Sequence, residues 1–135
     1  MRNLLLVFVG LACLQAFQAQ AQNIRTAALD WTATQMSDGS NTINNTSVFK
    51  TTPTTIKWVQ NRGYIHPFDI ISTTGSWTNV GTNGKLTFSI SDGEDTGTMI
   101  FERTASGIAV YLDLSQGSSP RLVRKFKIDS IQSVN

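Results

Sequence analysis

Short stretches in which apolar and polar residues alternate run through the chain from Arg25 to its last residues. In "KLTFSIS", for example, Leu86, Phe88 and Ile90 share one face, and hydroxyl or charged side chains share the other. A period of two residues is that of a β-strand with one buried face, and the clusters of Gly, Asn, Asp and Ser between the stretches are typical of turns. No segment carries an apolar stripe of helical period long enough to predict a helix. The pattern therefore predicts a single all-β, antiparallel domain.

About eight or nine such strands are predicted, and the mostly short connections after Val80 favour antiparallel neighbours in a meander. The pair Asn83-Gly84 predicts a type I′ hairpin turn, because both central residues of that turn need a positive φ. Pro67 cannot donate a ladder hydrogen bond, so its strand is expected at an edge or with a bulge there. A sheet of this size closes into a small barrel or folds into a two-sheet β-sandwich. A small barrel has room only for its own side chains or for one small ligand.

The first residues have the layout of a secretory signal peptide. Arg2 precedes an apolar run, and the small-residue pattern "AQA" follows it. We therefore predict a signal peptide at residues 1–21 and one mature domain at residues 22–135, exported to the periplasm or outside the cell. The alternative is a lipid anchor at Cys13, in "GLAC". No later stretch is long and apolar enough to predict a transmembrane span.

Composition removes several classes of protein. The single cysteine lies in the predicted signal peptide, so the mature domain forms no internal disulfide and depends on an apolar core. The formal net charge is +2, and loss of Arg2 lowers it to about +1. The chain therefore lacks the excess of basic residues that would indicate a nucleic-acid partner. An exported domain also does not meet cellular nucleic acid.

Candidate catalytic groups are few. His66 is the one histidine, and Asp69 is expected on the opposite face of the same strand. Glu102 and Asp113 are predicted to form surface ion pairs with Arg103 or a lysine rather than a catalytic carboxylate pair. One histidine and no mature cysteine exclude a standard structural zinc site within one chain. We predict a protein without enzymatic activity and without a cofactor.

The stretch "SDGEDTG" places three acidic residues between two apolar strands. Calcium prefers oxygen ligands such as the carboxylates of Asp92, Glu94 and Asp95, but these residues lack the spacing of an EF-hand loop. Asp and Gly are also the residues that a hairpin turn needs for its own backbone. The turn of a central hairpin is the preferred interpretation, and calcium binding is the alternative.

The last strand, "RLVRKFK", is basic. Its basic side chains suit an anionic partner such as lipid headgroups or an acidic polysaccharide. These side chains are Arg121, Arg124, Lys125 and Lys127. Basic residues on a terminal strand also discourage edge-to-edge aggregation. This second interpretation is preferred.

Aromatic residues supply the candidate ligand site. Most of them alternate with Ile, Leu and Val and are expected in the core, with Trp77, beside a turn, as the expected exception. If the sheet encloses a cavity, these side chains line it. The candidate ligand-binding residues are Trp31, Trp58, Tyr64, Phe68, Trp77, Phe88, Phe101 and Tyr111.

Trp31 in "ALDWTA" of the first strand, together with Arg121 or Arg124 on the last, resembles a feature of the small exported β-barrels of the lipocalin-like (calycin) group. In that family a first-strand Trp commonly packs under an Arg or Lys from the final strand and closes one end of the barrel. Leu29 stands where the family usually has Gly. The resemblance implies an exported, non-enzymatic barrel that binds a small apolar or amphipathic ligand. The alternative is a solid β-sandwich that acts through its surface, as an adhesion, carbohydrate-binding or inhibitor module.

Overall fold

The computed structural model describes residues 23–134, which form one antiparallel sheet and a short 3-10 turn at Asn61–Gly63. The predicted signal peptide and Cys13 lie outside these residues. The strands are β1 Leu29–Ser37, β2 Thr42–Thr51, β3 Thr55–Val59, β4 Ile65–Ser76, β5 Gly84–Ser91, β6 Thr96–Thr104, β7 Gly107–Gln116 and β8 Ser119–Ser133. In this part of the chain, no helix has the length and apolar character needed to cross a membrane.

The sheet closes into a barrel. Each strand pairs with the next one in the sequence, and β8 pairs with β1. Trp31 of β1 therefore lies opposite Phe49 of β2 on one side and opposite Ile131 of β8 on the other. The predicted all-β antiparallel meander is confirmed, and the architecture is the barrel rather than the sandwich.

Strand β4 has two neighbours over only part of its length. It pairs with β3 from its first residue, whereas its pairing with β5 begins at Asp69. Pro67 therefore lies where β4 has a neighbour on one side only, and such a stretch tolerates a residue without an N–H. The expected edge at Pro67 is thus a local one, and the bulge of β4 lies elsewhere, between Ile70 and Ser72.

One prediction about the connection from β4 to β5 is wrong. The two strands are joined by a loop at residues 77–83. Gly84 opens β5 without a positive φ, so Asn83-Gly84 is not a type I′ turn. Tertiary packing requires glycine at position 84, because a Cβ there would overlap the indole of Trp77.

The inward side chains fill the barrel. The ring centroid of Phe101 lies 4.8 Å from that of Trp31, and the centroid of Phe49 lies 4.8 Å from that of Phe126. These are distances of contacting aromatic rings. Inward positions of β5, β6 and β7 are at most 5% exposed: Leu86, Phe88, Ile90, Met99, Phe101, Val110 and Leu112. Over the described residues, the centre of the barrel is therefore a packed core.

The loop between β4 and β5 closes the Trp31 end of the barrel. The ring centroid of Trp77 lies 5.5 Å from that of Trp31. The indole Nε1 of Trp77 donates to two backbone carbonyls of its own loop, at 2.8 and 2.9 Å. Arg103 of β6 donates from Nη1 to the carbonyl oxygen of Val80 at 3.0 Å and so holds the same loop.

The expected packing of Trp31 under Arg121 or Arg124 is wrong. Ile131 is the residue of β8 opposite Trp31, and both arginines lie toward the other end of that strand. The arginine at the closed end comes instead from β6 and is Arg103.

Candidate functional site

The eight aromatic residues predicted to bind a ligand divide between the inside and the outside of the barrel. Tyr64, just before β4, is 69% exposed, and Tyr111 is half-buried on the outer face of β7. The other six belong to the buried core: Trp31, Trp58, Phe68, Trp77, Phe88 and Phe101. The expected exposure of Trp77 is wrong, because its contact with Trp31 buries it. The role of all eight in ligand binding stays a prediction.

A groove of about 510 Å³ lies on the outside of the barrel. It crosses β6, β7 and β8, and the hairpin between β1 and β2 borders it. Small-molecule sites commonly have volumes of roughly 300–1,000 Å³. We call this groove the outer groove and define it by Thr98, Ile100, Tyr111, Asp113, Val123 and Lys125.

The strand register brings the residues of the outer groove together. Tyr111 lies opposite Ile100 on one side and opposite Lys125 on the other. The next row consists of Thr98, Asp113 and Val123. Apolar Ile100 and Val123 at outward positions are the signal in the sequence, since alternation leads one to expect polar residues there. Only the register shows that they are neighbours.

Two cationic residues, Arg124 and Lys125, line the outer groove. The Nζ of Lys125 lies 5.5 Å from the centroid of the Tyr111 ring, which is a cation–π geometry. Asp113 is already engaged, because Arg121 donates Nε to its Oδ1 at 2.8 Å, and this bond raises the pKa of Arg121. Lys125 forms no ion pair within residues 23–134. An anionic group that enters the groove therefore meets Lys125.

Asp38 lies in the hairpin that borders the groove and forms hydrogen bonds with the backbone of its own turn. Its Oδ1 accepts hydrogen bonds from the N–H groups of Asn41 at 2.9 Å and Ser40 at 3.0 Å. These bonds, helped by the charge of Arg124, hold the pKa of Asp38 below its ordinary value. The carboxylate is therefore ionised at neutral pH.

Away from the outer groove, a polar contact joins β4 to the turn between β5 and β6. His66 Nε2 lies 2.8 Å from Asp92 Oδ2. The imidazole also stacks on Phe68, with ring centroids 4.4 Å apart. The nearest acid in the sequence, Asp69, is exposed on the other face, as alternation predicts. The partner of His66 is 26 residues away along the chain, and the fold alone brings the two together.

The stretch "SDGEDTG" contains the turn between β5 and β6, at residues 92–95, as predicted. Asp92 Oδ1 accepts from the N–H groups of Glu94 at 3.0 Å and Asp95 at 2.7 Å. Across the described residues 23–134, no three His, Cys, Asp or Glu side chains come together as a metal site would require. Asp92 therefore organises the turn and attaches it to β4.

Asp92 is expected to make the fold sensitive to acid. The N–H of Asp95, and next the side chain of His66, hold the pKa of Asp92 below its ordinary value. Since the pKa is lower in the folded than in the unfolded state, ionised Asp92 stabilises the fold above about pH 4, and this contribution is lost as the pH falls through the folded value. Between about pH 4 and pH 2 we expect the melting temperature of the wild type to fall more steeply than that of Asp92→Asn, measured by circular dichroism. Equal slopes would contradict this role.

No protein-family model matches the sequence, and comparisons with curated proteins and with solved structures give no significant match. The likeness to lipocalin-like proteins is therefore one of architecture, an eight-stranded antiparallel meander closed into a barrel.

Proposed function

We propose that this chain is an exported, non-enzymatic binding protein that holds one small amphipathic ligand in the outer groove. The observation that supports the proposal is the contrast between the two sides of the sheet. Side chains fill the inside, with Trp31 and Phe101 completely buried, whereas a groove of about 510 Å³ lies on the outside. A ligand on the outer face needs no cavity within the barrel.

The lining of the groove suits an amphipathic molecule. Ile100, Tyr111 and Val123 offer apolar and aromatic contacts, and Val123 is 49% exposed, so a bound molecule would remove apolar surface from water. Thr98 adds a hydroxyl group beside them. Small-molecule sites usually combine such a mostly apolar lining with a few polar groups.

The groove offers little for catalysis. Asp113 is paired with Arg121, and Asp38 accepts hydrogen bonds from its own turn. His66, with Asp92, lies on β4 and the turn after β5, not among the residues of the groove. Binding without chemistry is therefore the function that this arrangement supports best.

A fluorescence titration with 1-anilinonaphthalene-8-sulfonate tests the proposal, because this probe has an aromatic body and one negative charge. We expect saturable binding to the wild-type protein. Val123→Asp places a carboxylate on the floor of the groove at an exposed position, so the fold is retained. Binding should weaken by about tenfold or more, which corresponds to about 1.4 kcal/mol.

Ile43→Asp is the matched control, since Ile43 is an exposed aliphatic residue of β2, 48% exposed and outside the groove. It should bind the probe as the wild type does. If Val123→Asp binds normally, the groove is not the site. If native mass spectrometry then shows a co-purified lipid, the protein binds lipid, as the lipocalin-like resemblance implies, but at another site.

A further inference from the structure

An exposed apolar strip, which the outer groove does not include, begins at the residue before β4 and continues along the outer face of that strand. Tyr64 is 69% exposed, Ile65 52% and Ile71 61%. Pro67, exposed on the same face, lies between the two isoleucines. We call Tyr64, Ile65, Pro67 and Ile71 the β4 strip. Large apolar side chains that cluster on a surface commonly mark a site of interaction with a partner or a membrane.

Neighbouring strands widen the apolar strip. Val59 of β3 lies opposite Ile65, and Val48 of β2 lies opposite Val59. Both valines are half-buried. The strip therefore continues as a row of apolar side chains across three strands.

Basic side chains border the strip. Lys57 lies opposite Pro67, and Lys50 lies opposite Lys57. Lys50 pairs with Asp30 at 2.9 Å, whereas Lys57 forms no ion pair within residues 23–134. Asp69 is exposed on the same face of β4, between Pro67 and Ile71, so one carboxylate lies within the strip. With Arg62 of the preceding turn included, the strip and its border together carry more positive than negative charge.

The turn between β3 and β4 places an arginine beside the strip. Arg62 and Gly63 both have a positive φ, of 71° and 81°. Gln60 N–H donates to the carbonyl of Tyr64 at 2.7 Å, and Gly63 N–H donates to the carbonyl of Gln60 at 3.0 Å. These bonds fix a tight turn from which the exposed side chains of Arg62 and Tyr64 extend.

We infer that the β4 strip docks on the surface of a bilayer that contains anionic phospholipid. The strip lies on the convex outside of a barrel, and protruding aliphatic and aromatic side chains can enter a soft lipid interface. Tyrosine is enriched at membrane interfaces, and lysine and arginine near the surface are attracted to anionic headgroups.

Two other occupants fit less well. A partner strand that extended the sheet would need a free edge, but the one-sided stretch of β4 contains Pro67, which has no N–H to offer. A second copy of the chain, docked strip to strip, would bring together two copies each of Lys57 and Arg62 against only two of Asp69. The excess of positive charge matches an anionic surface better.

Vesicle co-sedimentation tests the inference. The purified protein is mixed with vesicles of phosphatidylcholine alone or with about one third phosphatidylglycerol. We expect binding to the anionic vesicles and little to the neutral ones. Tyr64→Ser/Ile71→Ser should weaken binding by about tenfold or more, because the apolar contact with lipid is lost. Lys57→Ala/Arg62→Ala should weaken it by about 25-fold, since each basic residue contributes about fivefold.

Ile43→Ser is the matched control, because Ile43 is 48% exposed and lies outside the strip. It should sediment with anionic vesicles as the wild type does, and thermal melts should show that all variants are folded. Absence of binding to anionic vesicles, or equal binding by all variants, overturns the inference. Light scattering provides the other decisive outcome: a dimer that Tyr64→Ser/Ile71→Ser dissociates would assign the strip to a second copy.

Discussion

Replacement of Phe101 by alanine is expected to lower the free energy of unfolding by about 3–5 kcal/mol, the range seen when a large aromatic residue is removed from a core. Phe101 is fully buried. Its ring centroid lies 4.8 Å from that of Trp31, 5.5 Å from that of Phe88 and 6.1 Å from that of Phe49. The three neighbours come from three different strands, so they cannot all move into the vacated space. Urea unfolding followed by circular dichroism measures the change.

Two further measurements distinguish a filled barrel from a roomy one. Ile71→Ala, at an exposed position, should change the free energy of unfolding by no more than about 0.5 kcal/mol. Phe101→Ala should acquire an apolar cavity that binds benzene, whereas the wild type should not. A loss below about 1 kcal/mol in Phe101→Ala, or benzene binding by the wild type, would mean that the interior has spare room, and the outer groove would lose its main support.

The second large effect is expected at Gly84. A Cβ at this position would overlap Cβ, Cγ and Cδ1 of Trp77, so Gly84→Ala should push the indole away from Trp31. Forcing extra atoms into a packed site typically costs about 1–3 kcal/mol. We expect a loss of this size in urea unfolding, together with a red shift of tryptophan fluorescence as Trp77 becomes exposed to water.

Gly81→Ala is the control in the same loop. The nearest atom to a Cβ there is Asn79 Oδ1, at 3.2 Å, and a side-chain amide can move. Its fluorescence should match that of the wild type. If Gly84→Ala keeps both its stability and its emission, Trp77 does not close the end of the barrel in solution.

Local patterns in the sequence were sufficient to predict the strands and the side chains that face inward. In β5, Leu86, Phe88 and Ile90 alternate with polar residues, and the side chains of all three are buried. The local signal failed at Asn83-Gly84, because the packing of Trp77, not the φ of a turn, requires the glycine. Propensity rules describe neighbours along the chain, and this constraint comes from a contact in space.

The candidate site could be predicted less completely than the strands from the sequence. Alternation placed Phe101 and Trp58 on inward faces, but whether a barrel centre is full depends on the volumes of all its side chains together. The outer groove depends on the register that sets Ile100, Tyr111 and Lys125 in one row. Register is a property of paired strands, so a single strand does not reveal it.

The pairing of β1 with β8 has a consequence for how the chain folds. The hydrogen bonds that seal the barrel join residues near opposite ends of the sequence, such as Trp31 and Ile131, and Val134 N–H reaches the carbonyl of Ala28 at 3.0 Å. Among the strand pairs of residues 23–134, this pair has the largest sequence separation and therefore the largest loop-closure cost. During synthesis β1 has no second neighbour until β8 has been made. The barrel therefore closes only after β8 is available to pair with β1.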